Sequence, residues 1–105
     1  MLNITTDKIA EIIILAREGS RGAAEMEAFI QRVNEDEQIS LVALMWIGRG
    51  TFDAAELEEA LTTARQEATT PTEDYLRGSP HLADHLENGL DALGISARDA
   101  EDGLY

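Results

Sequence analysis

The chain has no cysteine, which excludes a disulfide framework, thiolate metal sites and cysteine nucleophiles together. Positive charge is scarce: eight Lys and Arg stand against 21 Asp and Glu, a formal net charge of -13. A field of that sign repels nucleic acid and the anionic face of a membrane, so neither is an expected partner. Long hydrophobic runs are missing as well. The longest uncharged apolar stretch, Ile39 to Gly48, falls far below the ~20 residues that a membrane-spanning helix requires. The opening Met-Leu-Asn-Ile-Thr-Thr-Asp-Lys carries no basic leader and no small-residue cleavage site, so the expected protein is soluble and cytoplasmic. No dinucleotide fingerprint, phosphate loop or Gly-x-Ser-x-Gly elbow occurs, and Ser20, Ser40, Ser79 and Ser96 fall at turns or helix starts.

What is present is enough for one folded unit. The 105 residues carry 44% hydrophobic side chains, and a chain of this size buries roughly two thirds of its unfolded surface. No repeat or low-complexity tract divides it, so residues 1–94 read as a single helical domain followed by an acidic tail over 95–105.

Apolar residues recur at helical spacing along the chain. Ile9, Ile12, Ile13 and Ala16 predict a first helix from about Asp7 to Glu18; the β-branched run Ile12 to Leu15 also fits a buried strand, but the periodic frame around it favours helix. Met26, Phe29, Ile30 and Val33 predict a second. Asn34 or Asp36 is placed to cap a third, in which Leu41, Val42, Leu44, Met45, Trp46 and Ile47 are apolar around most of the circumference. Such a helix is either wrapped by its neighbours or left with a strip that pairs with a second copy of the chain. Gly48, Arg49, Gly50 and Thr51 are expected to end it.

The clearest start signal follows. Asp53 and Glu56 form a capping box, with Phe52 and Leu57 placed as a hydrophobic staple, and the helix runs to about Ala68. Thr70-Pro71 and Ser79-Pro80 each read as a cap with proline in the first helical position. The first opens a short turn. The second opens a long helix lined by Leu82, Leu86, Leu90 and Leu93 and closed by Gly94. The expected fold is all-α, a small orthogonal bundle of four main helices with one or two short ones.

Two blocks, Leu41-Val42-Ala43-Leu44-Met45-Trp46-Ile47-Gly48-Arg49-Gly50 and Tyr75 through Leu90 with its Arg77-Gly78-Ser79-Pro80-His81 core, resemble a bacterial family of uncharacterised proteins, domain of unknown function 3775. The resemblance spans Ile4 to Gly94, with Gly22 to Val33 looking more like family variation. Thr51 stands where the family commonly has an acidic residue, and His85 where it often has Tyr, so neither position takes a family-wide chemical role. The resemblance implies a small helical cytoplasmic protein and brings no activity with it.

A few groupings could carry chemistry. His81 and His85 lie one helical turn apart with Asp84 and Glu87 nearby, but the Glu expected between paired zinc histidines is absent, and flanking the leucine stripe explains them as well. No metal or cofactor is expected. Arg49, set between two glycines after the most apolar helix, could hold a carboxylate or phosphate; alternatively it caps its own helix and pairs with Asp53 or Asp84. Trp46, Tyr75 and Phe52 either line a pocket closed by Arg49 or belong to the core. Acidic charge is uneven, too. Residues from Asp53 onward hold 13 acids against 3 bases, and those up to Phe52 hold 8 against 5, which makes the first three helices the less repulsive surface for pairing.

Two functions follow from these features. One is a non-enzymatic protein-interaction or regulatory module, homodimeric, with another protein as partner. The other is a small-molecule or anion-binding protein, possibly catalytic, with Arg49, Trp46, Tyr75, His81 and Asp84 around one cleft.

Overall fold

A computed structural model describes residues 2–68 and 70–95. Six α-helices occur among them: α1 Thr6–Arg17, α2 Ala23–Arg32, α3 Glu35–Arg49, α4 Leu57–Gln66, α5 Thr72–Arg77 and α6 Leu82–Ala92. Short 3-10 turns at Gly19–Arg21 and Ala54–Glu56 lead into α2 and α4. No strand is found among the described residues, and the fold is all-α. Ile12 to Leu15 are helical, so the periodic frame outweighs their β-branched preference. None of these helices is long and apolar enough to cross a membrane.

The first two turns of α3 show how local sequence sets a helix start. The Asn34 side chain accepts a hydrogen bond from the Glu37 backbone N–H at 2.8 Å, and the Glu37 carboxylate accepts one from the Asn34 N–H at 2.9 Å. Two orphan amides are thereby satisfied reciprocally, and Glu35, Asp36 and Glu37 all lie at the positive end of the helix dipole. The second Glu37 oxygen accepts from Lys8 Nζ at 2.6 Å, which ties α3 to α1.

The Lys8 hydrogen bond first, and then the Asn34 amide, hold the Glu37 carboxyl below the ordinary carboxylate range; burial opposes them and loses. A carboxyl with a depressed folded-state pKa stabilises the fold fully above its unfolded value, and this contribution is lost as pH falls through the folded one. Glu37→Gln is therefore expected to lower stability at neutral pH by about 1–2 kcal/mol and to flatten the acid limb. Urea unfolding across a pH series measures both. An acid limb as steep in the variant as in the parent chain would show that Glu37 does not contribute to it.

α3 runs through the centre. Leu41, Ala43, Leu44 and Met45 are fully enclosed, Trp46 and Ile47 are buried, and Val42 alone among the apolar residues of this stretch is half-buried. α6 packs most extensively on it, α4 covers another side and α5 touches it directly, while α1 packs behind α6 and α2 behind α5. Most of the apolar circumference of α3 is thus covered within the chain, with Val42 left half-buried.

The approach of α6 to α3 depends on two glycines. A Cβ at Gly48 would fall inside the carbonyl oxygen of His85 and 2.8 Å from the backbone nitrogen of Gly89, while a Cβ at Gly89 would overlap the Leu44 carbonyl. Both glycines lie within helices, where each is expected to cost ~1 kcal/mol relative to alanine. Close backbone packing offsets that.

α3 ends within the expected Gly48–Thr51 segment, and Gly48 itself is still helical. Gly50 ends it, in the left-handed conformation at φ 91°, with Thr51 N–H donating to the Trp46 carbonyl at 2.9 Å and Gly50 N–H to that of Ile47 at 3.1 Å. The same paired bonds close α6 at Gly94, φ 78°, where Ile95 N–H reaches the Leu90 carbonyl at 2.8 Å. Ile95 also packs against the core. The rest of the expected tail, 96–105, lies outside the described residues.

Other local expectations shift by a residue or a partner. The Asp53–Glu56 capping box forms, but its first turn is 3-10 and α4 ends at Gln66. Phe52 places its ring 5.7 Å from that of Trp46. Pro71, not Thr70, is the N-cap of α5, and its carbonyl accepts from Tyr75 N–H at 3.0 Å. Ser79 does not cap α6: its hydroxyl donates back to the Tyr75 carbonyl at 3.1 Å, a local bond that competes with capping. The α6 N-cap is His81, a non-glycine residue held at φ 58°. Exposed ion pairs Arg17 with Glu87, Arg65 with Asp36 and Arg77 with Glu27 link neighbouring helices, each contributing little in water.

Candidate functional site

α3 presents Ile39, Val42 and Trp46, spaced so as to share one face, toward a gap between α4 and α5. Ala64 and the end of α4 with Glu67 and Ala68 form the second wall; Thr70, Thr72 and Tyr75 form the third. The Trp46 indole N–H donates to the Tyr75 hydroxyl at 2.9 Å, so the polar tips of both aromatics satisfy one another and pin α5 to α3. The resulting cleft has a volume of about 210 Å³. Val42 and Tyr75, both half-buried, open onto it.

A second, wider cleft of about 370 Å³ lies between α1, α2, α5 and the start of α6, where His81 and Asp84 meet Arg17, Ser20 and Arg77. Its arginines are already paired, Arg17 with Glu87 and Arg77 with Glu27 and Asp74. The five residues expected around one cleft are therefore distributed: Trp46 and Tyr75 line the first, His81 and Asp84 the second, and Arg49 neither.

Arg49 is exposed, and its Nε donates to the Thr51 hydroxyl at 3.2 Å. Among the described residues it forms no ion pair with Asp53 or Asp84. With one exposed hydrogen bond at stake, Arg49→Met is expected to change stability by less than about 0.5 kcal/mol. A loss well above that on thermal unfolding would return Arg49 to a structural role.

The His81 and His85 rings stand edge to face with centroids 6.5 Å apart. His85 Nδ1 is buried with no hydrogen-bond partner among the described residues, while His81 is exposed. No group of three or more His, Asp or Glu close enough to hold a metal ion occurs among the described residues. Sequence reasoning named Trp46 and Tyr75 but missed Ile39, Val42, Ala64 and Glu67 as their neighbours. A face shared by residues 39, 42 and 46 is legible in helical spacing; that α4 would end beside it is not.

Residues 23–95 match the model of a family described as protein of unknown function (DUF3775). The chain belongs to the DUF3775 family. The match takes in both resembling blocks and also begins at the start of α2, a segment that read as family variation, whereas α1 lies outside it. All residues of the first cleft fall inside the DUF3775 match. No curated protein and no solved structure matches the chain.

Proposed function

We propose that this DUF3775 protein is a non-enzymatic, cytoplasmic protein-interaction module that receives a side chain of its partner in the cleft between α3, α4 and α5. The observation that carries the proposal is the size and lining of that cleft. Whole small-molecule ligands generally occupy ~300–1,000 Å³, and about 210 Å³ walled by Trp46, Tyr75, Val42 and Ile39 suits an inserted anchor side chain instead. The distribution of the polar candidates supports the same reading, because a catalytic constellation needs them around one reacting atom.

Pairing of two copies is the second part of the proposal. With most of α3 covered from within, it rests on the lower charge of the first half and on Ile14 of α1, a large apolar side chain that is 43% exposed. Native mass spectrometry of the untagged protein tests both parts. The expected spectrum shows a dimer mass with nothing added, reverting to the monomer in Ile14→Glu. A reproducible small-molecule mass on each subunit would overturn the interaction module, and a monomer in the parent chain would remove the pairing.

A further inference from the structure

Glu67 stands at the rim of the α3/α4/α5 cleft and breaks a local rule. It is the C-terminal cap of α4, where the helix dipole is negative and a cation is the stabilising neighbour. No ion pair or hydrogen bond of its side chain occurs among the described residues, and the residue is exposed. Glu67 and Ala68 both line the cleft, so the negative end of α4 and this carboxylate lie at it together, in a molecule whose net charge is -13. Behind them are two aromatic walls, Trp46 and Tyr75, and the aliphatic surface of Ile39 and Val42. An electronegative mouth over an aromatic and apolar floor is complementary to a cation on an apolar stem.

Building on the interaction reading, we infer that the occupant of this cleft is an arginine side chain from a basic segment of a partner protein. Its aliphatic stem lies along Val42 and Ile39, and its guanidinium meets the Trp46 and Tyr75 walls and pairs with Glu67. Arginine fits better than lysine, since a planar, weakly hydrated guanidinium both packs on aromatic rings and bonds a carboxylate bidentately. The strongly negative surface draws a basic segment in, and the cleft selects its anchor.

Trp46 is the single tryptophan and forms part of the wall, so its fluorescence reports occupancy directly. The probes are a short tryptophan-free peptide carrying arginines among valines, the same peptide with neutral citrulline at each arginine, and free arginine amide. Saturable change with the arginine peptide alone is expected. Glu67→Lys should weaken it about fivefold to tenfold, whereas Glu11→Lys, an equal change of net charge on α1, should leave it nearly unaltered. Neither variant should melt below the parent, and Glu67→Lys should melt slightly above it because a cation replaces an anion at the α4 C-terminus.

Equal losses in the two variants would reduce the effect to long-range attraction and overturn the inference. Equal binding of free arginine amide would overturn the protein partner in favour of a small cation. No response to any probe, alongside a mass spectrum free of small molecules, would overturn the arginine anchor and leave the interaction module standing. A copurifying compound that alters Trp46 fluorescence would overturn both.

Discussion

Gly48→Ala is expected to be the most damaging single-methyl change in this protein, lowering stability by more than about 3 kcal/mol. The added Cβ would fall inside the His85 carbonyl oxygen and 2.6 Å from its carbon. These are backbone atoms of a packed helix, so no rotamer change relieves the overlap; α6 has to move off α3. That movement would uncover Leu44, Leu86 and Leu90, all fully buried. The opposing gain is small, since alanine is favoured over glycine inside a helix by only ~1 kcal/mol. Gly89→Ala, which meets the Leu44 carbonyl from the other side, should behave similarly, and the double variant should lose less than the sum because one displacement accommodates both methyls. Chemical denaturation of the three variants decides it. A Gly48→Ala protein as stable as the parent would mean that the helices are not in backbone contact there.

The second large effect is expected from Leu76→Ala, at about 2–4 kcal/mol. α5 has six residues, too few to hold a helix in water unaided. Leu76 is its fully buried side chain, so truncating it removes most of the apolar area that fastens α5 to the core. Further ties are polar and weaker: the Trp46–Tyr75 hydrogen bond and the exposed pair of Arg77 with Glu27. The loss should therefore be partly local. Hydrogen exchange across α5 should rise more than across α3, and Trp46 fluorescence should shift to the red before global unfolding as α5 ceases to cover it. Uniform acceleration of exchange in every helix would instead make α5 part of one cooperative unit. The cleft depends on the outcome, because Tyr75 and Thr72 reach it from α5.

Helix positions were readable because the cause is local. The 3.6-residue recurrence of Ile9, Ile12 and Ile13, or of Leu82, Leu86 and Leu90, requires only that one face be removed from water. The Asp53–Glu56 box was readable for the same reason, being closed within four residues, whereas at α3 the sequence left Asn34 and Asp36 as rival caps and the Asn34–Glu37 box decides for Asn34. Where capping failed, a nearby competitor won. Ser79 spends its hydroxyl on the Tyr75 carbonyl behind it, and His81 takes the left-handed cap position.

The sequence by itself determined that this chain forms amphipathic helices and one helix, α3, whose Leu41–Ile47 stretch is apolar around most of its circumference, that it is strongly acidic, and to which family it belongs. Tertiary structure decided the rest, because it depends on which faces meet. Only the crossing of α3 and α6 distinguishes Gly48, a packing residue, from Gly50, two positions on, which ends the helix by its left-handed backbone. Covering of most of α3 within one chain, the separation of His81 and Asp84 from Trp46 and Tyr75, and the arrival of Glu67 at the cleft that Tyr75 lines are likewise set by the directions of the helices. Periodicity states that a face is buried, and packing alone states against what.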